Sequence, residues 1–194
     1  MRITGGQIGG LMLKAPKGDR VRPTQNRVRE AVFAMLAAKV VGARVLDLFA
    51  GTGAMGVEAG SRGAASVTWV EEDKRNVEVL KANVGLLKGE CETVVVCDEA
   101  VRFLKRQSST SDVQSPSSNF DFVFADPPYA WVEKTGWTKV LTPLENILAE
   151  DGLFIAEQSA ELAPNFPENW EILKDKTYGG TRICVCRKSK GETK

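Results

Sequence analysis

Four consecutive residues, Asp126-Pro127-Pro128-Tyr129, bring together a carboxylate, a stiff carbonyl-bearing turn and an aromatic ring. The apolar run FDFVFA before them reads as a strand, and it must stop here, because each proline lacks a backbone N–H and fixes its own φ. The first proline also drives Asp126 into an extended conformation. A second stretch, LDLFAGTGAMGVEA (46–59), ends a strand at Asp47-Leu48-Phe49 and then turns sharply. Gly51 and Gly53 permit a tight turn and close backbone approach to a ligand. Glu71 in TWVEEDK ends the next strand about 20 residues on, from where a carboxylate hydrogen-bonds ribose hydroxyls. Asp98 in VVVCDEA ends a third strand, with an ordinary helix N-cap as the alternative reading of that residue. Together these point to a nucleotide-type cofactor. GTGAMG also matches G-x-G-x-x-G at Gly51, Gly53 and Gly56, which keeps a dinucleotide-binding oxidoreductase open.

The sequence contains no histidine. That excludes a Ser-His-Asp triad, a Cys-His pair and every histidine-based zinc site, so no metal is expected. Catalysis must rest on carboxylates, backbone groups, a tyrosine or a cofactor. Cys91, Cys97, Cys184 and Cys186 contain no C-x-x-C pair and read as reduced, structural thiols of a cytosolic protein.

The elements that must hold these groups alternate from residue 43 onward. RVLDLFA, SVTWVEE, ETVVVCD, FDFVFAD and GLFIAEQ read as strands, with helices expected at 54–61, 73–87, 99–106 and 134–149 between them. Buried apolar strands alternating with helices predict a doubly wound α/β fold with a mostly parallel sheet. Two strand-like runs around Tyr178-Gly179-Gly180-Thr181 should close that sheet with an antiparallel hairpin. Residues 1–18 read as a small hairpin, and Val28, Ala31, Val32, Met35 and Leu36 then recur at helical spacing. The division expected is an N-terminal extension over 1–42 and a catalytic domain over 43–194. QSSTSDVQSPSSN (107–119) is Ser-rich and apolar-poor and reads as a surface loop.

Charge is uneven. Residues 1–44 carry nine Lys/Arg against two acids, while the whole chain nets only +1. A basic arm on an acidic body suits a polyanionic partner. A solvated N-terminus with no partner is the plain alternative. Arg27 and Arg29, two positions apart, point to different sides of a helix and are not expected to face the core. No stretch approaches the roughly 20 apolar residues of a membrane span. The opening MRITGGQIGG has no apolar signal core, so the cytoplasm is the expected location.

The wording DxFAGxG resembles motif I of Rossmann-like S-adenosylmethionine-dependent methyltransferases, and DPPY resembles the [DN]PP[YF] motif of those that methylate exocyclic amines. The opening blocks RITGGQIGGLMLKAP and RPTQNRVREAVFAML narrow this further. They are similar to those of the RsmD-type family, bacterial 16S rRNA guanine-N2 methyltransferases, and the likeness runs to the closing YGGTRICVCRK. Asn26, where the family more often has Asp, and the Ser-rich insertion are departures. The resemblance implies a class I methyltransferase fold with a seven-stranded sheet, S-adenosylmethionine as cofactor and a small-subunit rRNA particle as partner. A monomer acting without a membrane is expected. It implies Asp126, Pro127, Pro128 and Tyr129 as the catalytic group. The cofactor would be held by Asp47, Phe49, Ala50, Gly51 and Gly53 in the loop and by Glu71, Glu72, Asp98 and Glu99 at strand ends. Arg22 and Thr24 would border the same pocket, and Arg2, Lys14, Arg20, Arg27 and Arg29 would meet RNA.

DPPY suits DNA or RNA adenine-N6 and cytosine-N4 methyltransferases equally, but a DNA enzyme needs a separate sequence-reading domain that this length does not show. A non-catalytic RNA-binding protein on the same scaffold would be expected to have lost Asp126 or the glycine loop. An oxidoreductase leaves DPPY without a purpose.

Overall fold

The computed structural model describes residues 1–15, 23–109 and 119–190. These divide into two compact units, Met1–Ala100 and Val101–Lys194. Arg20, Arg22, the Thr24 side chain and residues 110–118 of the Ser-rich stretch lie outside the described residues.

The first unit opens with the expected hairpin, closed by Ile3 N–H to Leu11 O (2.9 Å) and Leu13 N–H to Met1 O (2.8 Å). Helix α1 (Pro23–Leu36) follows. Its apolar residues Val28, Val32, Phe33 and Leu36 are buried. Three parallel strands come next, β1 (Arg44–Leu48), β2 (Ser66–Glu71) and β3 (Glu92–Cys97), in the spatial order β3-β2-β1. Helices α2 (Ala54–Ser61) and α3 (Lys74–Val84) are the crossovers. Val45, Leu46 and Leu48 of β1 are wholly buried, as a strand covered on both faces requires. Asp73 starts α3 by accepting the Arg75 N–H (2.8 Å), and Val77 and Leu80 bury its inner face.

The second unit holds all but the first residue of α4 (Ala100–Ser108), then β4 (Phe120–Ala125), α5 (Tyr129–Thr135), α6 (Thr138–Leu144), β5 (Leu148–Ser159), β6 (Trp170–Tyr178) and β7 (Thr181–Lys188). Its strands lie in the order β4-β5-β7-β6, the first pair parallel and the others antiparallel. The C-terminal hairpin is thus present, turning at Gly179 with φ 61°.

One element differs from expectation. The single helix predicted over 134–149 is two short helices followed by a strand beginning at Leu148. Gly136, with φ 70°, ends α5 by returning its N–H to Val132 O (2.9 Å). Trp137 then restarts the chain as α6 because its indole is needed inside: it is 1% exposed and donates Nε1–H to Gln158 Oε1 (2.7 Å). Among the described residues, no helix is long and apolar enough to cross a membrane.

Candidate active site

The cofactor half is built by the loop after β1. Phe49, Gly51 and Gly53 all adopt positive φ (57°, 54° and 78°), so the turn coils tightly out of the strand. Gly53 is required there for space as well, since a Cβ would stand 2.2 Å from Leu80 Cδ1. Gly56 N–H, the last unpaired donor of the first turn of α2, goes to Asp47 Oδ2 (2.9 Å). Asp47 is 4% exposed and therefore shapes the loop from within. Trp69 Nε1–H to Gly53 O (3.3 Å) and Asn83 Nδ2–H to Thr52 O (2.8 Å) hold the loop from its other side.

Glu71 lies against this loop. Its Oε2 accepts the Gly51 N–H (2.7 Å) and its Oε1 the Asp73 N–H (2.8 Å). The Asn76 side-chain amide also donates to Oε1 (3.4 Å), and since a carboxylate offers about four lone-pair positions, room remains to accept a ribose hydroxyl. Beside it, a Cβ built on Gly51 meets nothing within 4 Å, so open space lies over the loop backbone. Glu72 is exposed, and Asp98 Oδ1 accepts the Glu99 N–H (2.9 Å) where α4 begins, with both residues part-exposed. A coiled glycine loop with room above it and carboxylates at successive strand ends suits the sulfonium amino acid and ribose of S-adenosylmethionine.

The second unit carries DPPY just past β4. Phe122 to Ala125 are buried, Asp126 emerges, and Pro127 is buried again. Pro128 is the N-cap residue of α5, and its carbonyl accepts the Trp131 N–H (2.8 Å). Tyr129 is 36% exposed, with its hydroxyl 3.1 Å from Thr181 Oγ1 at the start of β7. That bond holds one end of the ring. Asp126 keeps part of its surface in solvent, yet the chain crowds its carboxyl and pushes it up to about 6. Glu157 on β5 is raised further, to about 8, by burial first and by repulsion from Asp126 second.

Arg29 corrects the sequence reading. It is 2% exposed, not outward-facing. It bonds Glu58 Oε2 (3.2 Å), Asn26 Oδ1 and the Arg2 carbonyl. Helix α1 packs that side against α2, and a buried acid supplies the counter-charge. Arg2, Lys14 and Arg27 are exposed. Glu58, Asn83, Glu157 and Thr181 escaped the sequence reading. A lone acid in the apolar runs GVEAG and FIAEQ was the available signal for two of them; Asn83 and Thr181 had none.

Strand order, glycine loop and strand-end acids define a Rossmann-like, S-adenosylmethionine-dependent methyltransferase fold. The model of the family described as "Conserved hypothetical protein 95" matches residues 1–187. The chain belongs to that family, the RsmD-type family. It is 34% identical over 189 residues to Ribosomal RNA small subunit methyltransferase D of Escherichia coli K12, covering 92% of this chain and 85% of that protein. The solved structure of the Escherichia coli methyltransferase yhhF superposes with a TM-score of 0.79 at 34% identity, covering 97% and 98% of the two chains. SMU.776, solved with SAH, shares the fold at 19% identity (TM-score 0.64, 86% of this chain and 50% of that one).

Proposed function

We propose that the protein methylates the exocyclic N2 amine of one guanine in 16S ribosomal RNA, within a small-subunit particle in the cytoplasm. DPPY is the observation that carries this reading. An exocyclic amine is a weak nucleophile because its lone pair is delocalised into the ring. The Asp126 carboxylate and the Pro127 carbonyl accept the two amine hydrogens, drawing the nitrogen toward tetrahedral geometry and returning the lone pair to it. The prolines hold these acceptors in place beforehand, so little reorganisation is needed at the moment of reaction. S-adenosylmethionine, when bound, supplies a methyl group on positively charged sulfur. As the new N–C bond forms, the S–CH3 bond breaks and its electron pair returns to sulfur as a neutral thioether, while the amine proton passes to Asp126. The face of Tyr129 stacks on the base, worth roughly 1–3 kcal/mol.

Glu71 holds the ribose hydroxyls, the backbone of 49–53 lies along the amino-acid part, and Asp98 reaches the adenine. Residues 1–42 form the RNA-facing extension, with Arg2, Lys14 and Arg27 contacting phosphate. The expected target is an unpaired or splayed-out nucleotide, whose amine a side chain can reach. The family relationship and the basic N-terminal block support rRNA over DNA as the polymer.

The test uses labelled S-adenosylmethionine and small subunits from a modification-deficient strain, followed by nucleoside identification. N2-methylguanosine at one position is expected, and Asp126→Ala should abolish it while cofactor binding and folding persist. Label in N6-methyladenosine, or near-normal turnover by Asp126→Ala, refutes the proposal.

A further inference from the structure

Asp126 has a neighbour that no motif predicts. Strands β4 and β5 run parallel with Ala125 opposite Ala156, so the next residue of each, Asp126 and Glu157, stand side by side. On its other flank Glu157 faces Ile183 of β7. The nearest cation along that strand, Arg182, is turned to Asp175 (3.4 Å) and to the Leu162 carbonyl. Burial raises both carboxyls, Asp126 adds repulsion on Glu157, and no donor or cation among the described residues lowers either one. Two adjacent carboxyls lacking donors complement a ligand that presents a row of N–H groups.

Base edges differ in that row. Guanine sets N1–H beside its N2 amine, giving three hydrogens in line. Adenine and cytosine instead place a ring lone pair next to their amine. The Asp126 carboxylate and the Pro127 carbonyl engage two hydrogens, so a third acceptor next to Asp126 has a partner only on guanine. We propose that Glu157 is a specificity residue of the target-base site, accepting guanine N1–H while Asp126 and Pro127 hold the N2 amine. This rests on the guanine-N2 reading above and deepens it. Guanine N1–H favours the carboxylate form of Glu157 by donating to it, and in assays above pH 8 the group is ionised, so that it repels the N1 lone pair of adenine and the N3 lone pair of cytosine. A buried acceptor left unmatched is what lets a site reject a near-isosteric substrate.

The test replaces the mapped guanine in the small subunit by 2-aminopurine, which keeps the N2 amine but exchanges N1–H for a lone pair. The wild-type kcat/KM should fall roughly 10–100-fold on that substitution. In Glu157→Gln the amide donates to the lone pair as readily as it accepts, so guanine should lose about tenfold and the preference should shrink toward unity. Glu157→Ala serves as a second variant, also expected to lose the preference. Thermal unfolding confirms that each variant is folded; a residue of purely structural importance would change rates on both substrates alike. The inference is overturned if the wild type methylates both bases equally, or if both variants keep the wild-type preference. Failure of the guanine-N2 reading looks different: wild-type enzyme would then leave no N2-methylguanosine in unsubstituted particles.

Discussion

Glu58→Ala removes the centre of a buried polar cluster, and the cost follows from the geometry. Glu58 is 0% exposed. Its Oε1 accepts from Thr4 Oγ1 (2.7 Å) and Arg62 Nε (2.9 Å), and its Oε2 from the Thr4 N–H (2.8 Å) and Arg29 Nε (3.2 Å). One carboxylate thus joins the N-terminal hairpin, α1 and the end of α2. Without it, Arg62, with a side chain 28% exposed, can turn to water. Arg29 cannot, and among the described residues its buried guanidinium keeps only neutral oxygens, from Arg2 and Asn26. Breaking a buried pair from one side costs about 3–5 kcal/mol. Each kcal/mol moves Tm by about 2–4 °C in a chain of this size, so a fall of about 6–20 °C is expected. The assay is thermal unfolding followed by circular dichroism. Arg29→Met with Glu58→Leu should recover much of the loss, since both charges go together. A Tm for Glu58→Ala within about 2 °C of wild type would refute the reasoning, because the cluster would then contribute no more than a surface pair.

Two further outcomes are expected. Gly56→Ala should lower stability by about 1–3 kcal/mol in denaturant unfolding, since the new Cβ would sit 2.2 Å from Trp69 Nε1 and 2.8 Å from Val67 Cγ1. Activity should rise with pH through about 6, the value to which crowding raises the Asp126 carboxyl. Below it the group is protonated and accepts amine hydrogens poorly, above it the carboxylate is available, and a kcat/KM profile flat from pH 5 to 7 would contradict that role.

Much of the catalytic half is local and was therefore legible. Gly51 and Gly53 announce a turn because other residues rarely adopt their φ, and Pro127-Pro128 announce a strand end because proline has no N–H to give a ladder. Strand-end acids are readable once apolar runs mark where strands stop. The 134–149 segment was misread because its apolar spacing suits one helix, whereas Gly136 and the buried indole of Trp137 break it in two.

The alternation of strands and helices outside 134–149, the glycine loop, the DPPY turn and the basic opening follow from the sequence alone, because each depends on neighbours within a few residues. Only the tertiary structure decided that Arg29 turns inward to Glu58, that Tyr129 hangs its hydroxyl on Thr181, and that Glu157 stands beside Asp126. Those pairs are separated by 29, 52 and 31 positions. Their meeting depends on helix packing and strand register, which arise when distant apolar faces are buried together and which no local pattern encodes.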